Sequence, residues 1–294
     1  MKNKIIEIAN AENISDIGFC RISDYKEEAK TLENPAVFAK KAIEPETLKN
    51  ARTAVVCAFN YYAGGEKGNI SRYAQGEDYH LTVMRKMKPI ADELEKNGFF
   101  AKIFADTGFF NERLLAVLGG IAFIGRNRMA ISPKFGSYFF VGYILTDCEI
   151  ESDKKTDKKC AECGKCENAC PLGALKDGFC EGKCLSYITQ KKGALSQEEE
   201  EAIIKANTLW GCDICQEVCP HNKDIPVTDI AEFKENRIIN LEIDENISNK
   251  EFKKLYKNRA FSWRGKGVII RNQKILQKNQ KKLKKSIDNG KAMC

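Results

Sequence analysis

The sequence Cys160-Ala-Glu-Cys163-Gly-Lys-Cys166-Glu-Asn-Ala-Cys170-Pro171 sets four thiols at C-x2-C-x2-C-x3-C and closes on a proline. At that spacing the first three thiolates can grip three irons of one [4Fe–4S] cubane while the fourth points across to a second cluster. A second run, Cys212-Asp-Ile-Cys215-Gln-Glu-Val-Cys219-Pro220, repeats the C-x2-C-x3-C-P part without the middle cysteine, so its cluster needs a ligand from elsewhere in the chain. Pseudo-twofold exchange gives one cluster as Cys160, Cys163, Cys166 and Cys219. The other is Cys170, Cys212 and Cys215, completed by Cys180 or Cys184. Zinc would need four ligands without exchange between runs and leaves the paired C-x3-C-P endings unexplained. Clusters of this kind carry single electrons at low potential, so the pair reads as an electron relay.

Cys20, Cys57, Cys148 and Cys294 are isolated and read as small buried apolar groups or, for Cys294, a terminal thiol. Thirteen cysteines in 294 residues is an odd count in a chain far longer than disulfide-stapled secreted domains. The start, MKNKIIEIANAENISD, turns polar before a signal-peptide core could develop, and no stretch approaches the roughly 18 apolar residues a membrane-spanning helix requires. The expectation is a cytoplasmic protein with reduced thiols. Only two histidines, His80 and His221, are present, which argues against a histidine-based zinc site or a Ser-His-Asp triad. The chemistry must come mainly from a cofactor.

The elements that position these residues follow from apolar patterning. Residues 1–150 alternate helix and strand: an opening amphipathic helix, a β-branched and aromatic strand TAVVCAFNYY at 53–62, and a polar loop, GGEKGNISRYAQGEDYH. Residues 81–97 have helical spacing, with Pro89 expected to kink or split the helix. A short strand follows at 99–106, a helix from Asn111 to Leu118, a Gly-Gly break, and a strand at 138–147. The expected fold class is α+β, with an α/β domain over 1–150. The charged link ESDKKTDKK suggests a boundary, giving a two-cluster ferredoxin-like domain over 151–228 and a basic helical segment over 229–294.

The net charge of +7 is unevenly placed, because residues 251–294 hold 14 Lys and Arg against 2 Asp and Glu. That asymmetry suggests a polyanion partner, nucleic acid before membrane, against the plainer reading of a solvated basic tail. Tyr256, Phe261 and Trp263 interleave with the basic residues there, as phosphate contact with base stacking would require; the alternative is a helix packed by its aromatics.

Several segments carry a family likeness in their order and spacing: Ser71 to His80 (SRYAQGEDYH), Asp106-Thr107-Gly108 with Glu112-Arg113, Gly125-Arg126-Asn127, and Phe135-Gly136-Ser137-Tyr138. The ferredoxin runs, Lys183-Cys184-Leu185-Ser186-Tyr187, Tyr256 to Arg264, and Ile270-Arg271-Asn272 continue it. Together they resemble epoxyqueuosine reductase, the cobalamin-dependent iron–sulfur family that completes queuosine in the anticodon of certain tRNAs. The resemblance implies Cys184 as the eighth cluster ligand, a cobalamin cradle in the first domain, and Asp106 as the proton donor beside cobalt. It also implies cobalamin contacts at Lys41, where relatives usually carry Arg, and at Ser71, Ala130, Val141 and Ser186. Asp106 ends a strand among Phe104, Phe109 and Phe110, an apolar setting that favours a protonated carboxyl; the alternative is a helix N-cap. No D-x-H-x-x-G motif offers cobalt a lower histidine, and His80 is left without a role.

Many members of the family continue into a helical-repeat domain after the Arg271-Asn272 position, so the resemblance is to a short form. Expected partners are a queuosine-family tRNA anticodon stem-loop and an external low-potential electron donor, with a monomeric enzyme. Competing classes are a pure electron-transfer protein and a cobalamin-dependent reductive dehalogenase relative.

Overall fold

The structure, a computed structural model, describes residues 1–31, 49–65 and 67–291. Its backbone divides into two units that interleave along the chain: residues 1–64, 79–163 and 219–235 form the first, and residues 65–78, 164–218 and 236–294 the second.

In the first unit, helix α1 (Lys2–Ala11) precedes strand β1 (Asp16–Arg21), helix α2 (Ile22–Thr31) and strand β2 (Thr53–Asn60). Helix α3 (Tyr79–Lys96), strand β3 (Ala101–Ala105) and helix α4 (Glu112–Leu118) follow. A small ribbon of β4 (Phe123–Ile124) and β5 (Ala130–Ile131) leads to β6 (Phe139–Thr146). The main sheet has the order β1-β2-β6-β3, and all three pairings are antiparallel. The α/β arrangement expected for 1–150 is corrected on this point, because a doubly wound domain needs parallel strands joined by crossovers. The chain is mixed α+β.

β2 is buried along its whole length because it runs through the middle of the sheet with helices on both faces, which is why it reads as a continuous apolar run. On one face Ala54, Val56, Ala58, Phe104, Tyr143 and Leu145 pack against Leu114 and Leu115 of α4. α3 buries Val83, Met87, Ile90 and Leu94 and is continuous through Pro89, so of the kink or split expected there the split does not occur. Its buried apolar stripe spans both sides of the proline, so packing outweighs the one hydrogen bond the ring removes.

In the second unit, α5 (Lys165–Ala169), α6 (Leu185–Gln190), α7 (Gln197–Ala206) and α8 (Ile214–Glu217) are short, and the links from α5 to α6 and from α7 to α8 carry cysteines. α9 (Asn249–Tyr256) and the longer α10 (Lys266–Lys291) follow, separated by a 3-10 turn, Ala260–Arg264. α7 and α9 each begin with a capping box, Ser196 with Glu199 and Ser248 with Glu251. Arg271 of α10 donates to the carbonyls of Lys191 and Gly193, and buried Asn272 donates to those of Thr189 and Leu209, tying α10 to the α6 region.

Candidate functional site

Asp106 sits one residue past the end of β3. The last pair of that strand is Ala105 with Gly142, so the next step brings Asp106 to the level of Val141. Two of the expected cobalamin contacts, 35 positions apart in sequence, therefore meet at one sheet end. Asp106 adopts φ 57, the left-handed region that aspartate tolerates better than most residues. Its N–H donates to Glu112 Oε1 at 2.5 Å, and the Thr107 N–H closes a tight turn onto the Ala105 carbonyl at 2.7 Å.

The Asp106 carboxylate accepts a hydrogen bond from the Tyr79 hydroxyl at 2.9 Å and lies 3.5 Å from His80 Nε2. Tyr79 is itself held flat between His80 and Phe140, with ring centroids 4.1 and 4.2 Å away. The apolar enclosure expected from Phe104, Phe109 and Phe110 is not what forms: the Asp106 side chain is 52% exposed. Phe104 stacks on Tyr143 and Phe109 meets Phe104 edge-on, so the rings pack beneath the loop instead of around the carboxyl. Gly108 completes that packing, since a Cβ there would come within 1.9 Å of the Tyr143 hydroxyl. Nor is Asp106 a helix cap. Asn111 caps α4, its Oδ1 accepting from the N–H groups of Arg113 and Leu114 at 3.0 and 3.2 Å.

Ala130 and Val141 belong to one apolar cluster with Ala58, Phe135 and Phe139; Ala130 is buried and Val141 half-buried. An apolar sheet end with a half-exposed valine and a carboxyl at its rim fits a flat, largely apolar macrocycle approached by one polar group. Lys41 lies outside the described residues.

In the second unit the fold gathers Cys170, Cys184, Cys212 and Cys215. Burial pushes the thiol of Cys212 up to about 12, and the nearby Cys184 and Cys170 add to it. Cys215 is raised in the same way, by burial first and then by Cys212, Cys184 and Cys170. Cys184 is raised by burial, opposed by the N–H groups of Tyr187 and Ser186, with Cys170 again a contributor. Cys180 is exposed and enters none of these interactions. N–H groups aim at the sulfurs: Ala174 donates to Cys170 Sγ at 3.3 Å, and Ile214 to Cys212. Buried thiols that resist ionisation yet meet oriented N–H donors suit a bound cation that supplies the missing positive charge.

In the first unit, Cys219 is raised by burial, lowered by the His221 N–H, and raised again by Cys160 and Cys163. Cys166 is carried by α5 of the second unit. Among the described residues no three His, Cys, Asp or Glu side chains close around a single metal ion. Cys20, Cys57 and Cys148 are buried, as isolated thiols were expected to be.

Ser71 is buried against the loop that carries Cys212 and Cys215. Its hydroxyl donates to Asp213 Oδ1 at 2.5 Å and the Arg72 N–H donates to Asp213 Oδ2 at 2.8 Å. Next to these, the Ser71 N–H donates to the Trp210 carbonyl at 2.8 Å and Leu209 N–H to Asn69 at 2.6 Å. Gly211, at φ 72, allows the approach, because a Cβ there would fall 2.5 Å from that of Ser71. Ser71, Arg72, Cys212 and Asp213 line one small pocket. Burial raises the Asp213 carboxyl, against the lowering effect of its Ser71 and Arg72 hydrogen bonds. Sequence reading passed over Asp213; the signal was an acid between two cysteines of a tight motif, where a buried charge needs donors. Ser186, half-buried in α6, offers its carbonyl to Thr189 Oγ1 and Gln190 Nε2.

The basic segment separates its aromatics. Phe252 and Phe261 are buried and Tyr256 packs against both, whereas Trp263 is 63% exposed. The interleaved stripe expected from sequence thus reduces to one outward-facing ring.

A family model described as a 4Fe-4S double cluster binding domain matches residues 159–222, and one described as epoxyqueuosine reductase QueG, DUF1730, matches residues 44–107. An epoxyqueuosine reductase of Lactococcus garvieae is 33% identical, covering 92% of this chain and 85% of its own. The structure of epoxyqueuosine reductase from Streptococcus thermophilus superposes with a TM-score of 0.79 at 30% identity, covering 99% of this chain and 86% of that one. An epoxyqueuosine reductase crystallised with an epoxyqueuosine-modified tRNA-Tyr stem loop gives a TM-score of 0.80 at 30% identity, covering 94% of this chain and 80% of that one. A catabolic reductive dehalogenase shares the fold alone, at 15% identity and a TM-score of 0.51 over 78% of this chain and 32% of its own.

Proposed function

This chain belongs to the epoxyqueuosine reductase family, and we propose from that premise that it reduces epoxyqueuosine in tRNA to queuosine. The observation that carries the reading is the match over 94% of the chain to a relative crystallised with an epoxyqueuosine-modified stem loop. Two [4Fe–4S] clusters supply electrons, one on Cys160, Cys163, Cys166 and Cys219, the other on Cys170, Cys184, Cys212 and Cys215. The convergence of the last four thiols, with Cys180 apart from them, supports Cys184 as ligand. An external low-potential donor reloads the clusters, and we read the enzyme as a cytoplasmic monomer. No helix among the described residues is long and apolar enough to cross a membrane.

Cobalamin, when bound, supplies a reduced cobalt centre that is nucleophilic toward an epoxide carbon. The residues that would hold it are Lys41, Ser71, Ala130, Val141 and Ser186, with Asp106 at its rim. Converting the epoxide to the alkene takes two electrons and two protons and releases water. Asp106 gives the first proton to the epoxide oxygen as its C–O bond opens. Tyr79 fixes the direction of that carboxyl through its hydroxyl, and His80 stands beside the same oxygen. The left-handed backbone at Asp106 and the Glu112 anchor keep the carboxyl at the sheet end.

The decisive experiment is conversion of epoxyqueuosine-containing tRNA under anaerobic reducing conditions, with and without cobalamin. Turnover that requires cobalamin supports the reading; retention of clusters without any corrinoid binding would reduce the protein to an electron carrier. Asp106→Asn should keep both clusters and cobalamin yet lose turnover, and full activity in that variant would remove Asp106 from the role of acid.

A further inference from the structure

We infer that Trp263 and Arg264, with the lysine face of α9, form a platform on which an unpaired base of the tRNA stacks while its flanking phosphates meet the lysines. The inference rests on the tRNA reading above and deepens it by separating base contact from phosphate contact within the basic segment.

Three observations converge. First, the 3-10 turn Ala260–Arg264 is anchored by buried Ala260 and Phe261, and the same turn presents Trp263 outward at 63% exposure. A large ring held out on an anchored turn is preorganised for contact. Second, the Arg264 guanidinium lies over the indole, 4.0 Å from its centroid, and its Nε is buried with no hydrogen-bond partner. A guanidinium stacked on a ring keeps its N–H edge for a phosphate or base-edge oxygen.

Third, Lys250, Lys254 and Lys257 recur at i, i+4 and i+7, with Lys253 beside them, and all four are exposed. None of these lysines, nor Arg264, makes an ion pair among the described residues. Glu251, the acid on α9, is turned to the helix start by its capping box with Ser248. Four exposed lysines on α9 and a guanidinium stacked on one exposed indole match a strand of phosphates bearing an unstacked base. An acidic peptide would use the charges but leave the ring without a planar partner.

The test uses the cluster-loaded protein and a fluorescently labelled anticodon stem-loop carrying an unmodified anticodon, so binding is read independently of turnover. Trp263→Ala should weaken binding about 5- to 150-fold, the range for losing one stacked base, with the salt dependence unchanged. Trp263→Phe should recover most of that loss. Arg264→Ala should weaken binding and lower the slope of log Kd against log salt by about one. A fully paired RNA of equal length should bind Trp263→Ala as it binds the parent protein. Equal losses on duplex and stem-loop, no loss on either, or retention of poly-glutamate in preference to RNA would each overturn the platform. Absence of epoxyqueuosine turnover in the parent protein would instead strike the functional reading and leave this binding result legible.

Discussion

Replacing Asp213 by alanine tests how the Ser71 segment is held to the cysteine loop. The carboxylate accepts from the Ser71 hydroxyl at 2.5 Å, the Arg72 N–H at 2.8 Å and, more weakly, Gln216 Nε2 at 3.3 Å. Ser71 is 3% exposed, so its orphaned hydroxyl has little access to water, whereas half-buried Arg72 recovers part of its loss. At about 1–3 kcal/mol per buried unsatisfied group, the two donors together should cost about 2–3 kcal/mol of local stability. That free energy corresponds to roughly 30- to 150-fold faster opening of the segment. Hydrogen–deuterium exchange on anaerobic, cluster-loaded protein reads it directly at the amides of 70–73. Asp213→Asn should return exchange to within about 5-fold, because its amide oxygen can accept from Arg72 while its NH2 donates to a rotated Ser71 hydroxyl. Unchanged exchange at Arg72 in the alanine variant, with iron content intact, would refute the clasp.

Removing the Tyr79 hydroxyl with Tyr79→Phe takes one donor from the Asp106 carboxylate and should lower turnover by about 10- to 100-fold at unchanged iron and cobalamin content; an unaltered rate would show that Asp106 needs no such guide. Cys180→Ser should leave the iron content at the parent level while Cys184→Ser halves it, measured after anaerobic reconstitution; the reverse result would exchange the two roles. Asn111→Ala removes the α4 cap and should cost about 1 kcal/mol in thermal unfolding, with a loss above the range of a cap pointing to a second function for the side chain.

The strands β2 and β6 were legible because long β-branched and aromatic runs leave few alternatives, and the helix after Asn111 because an asparagine cap precedes an apolar stripe. β1 escaped notice: Asp-Ile-Gly-Phe-Cys-Arg is short and contains a glycine, and that glycine is there because Gly119 backs directly onto it, a Cβ at Gly18 falling 2.0 Å from the Gly119 carbonyl oxygen. The direction of the strands was equally hidden, since side-chain alternation is the same in parallel and antiparallel pairs. Asp106 was recognised through its sequence context, but its polar neighbours were not, because Tyr79 and His80 reach it from the start of α3, a separation of about 27 residues closed only by sheet and helix packing.

What the sequence determined by itself is the local chemistry: two cysteine runs whose spacing fixes the reach of each thiol, and a charge distribution that gathers cations at one end. Both are properties of bonded distance and composition, so they survive without a fold. Tertiary structure decided which thiols keep company, placing Cys184 with Cys170, Cys212 and Cys215 and leaving Cys180 exposed. It also decided that a serine 142 residues away along the chain is fastened to Asp213, and that of the four aromatics at 251–294 Trp263 is the one that faces outward. Burial and pairing across long separations depend on how every element packs at once, and no local pattern encodes that sum.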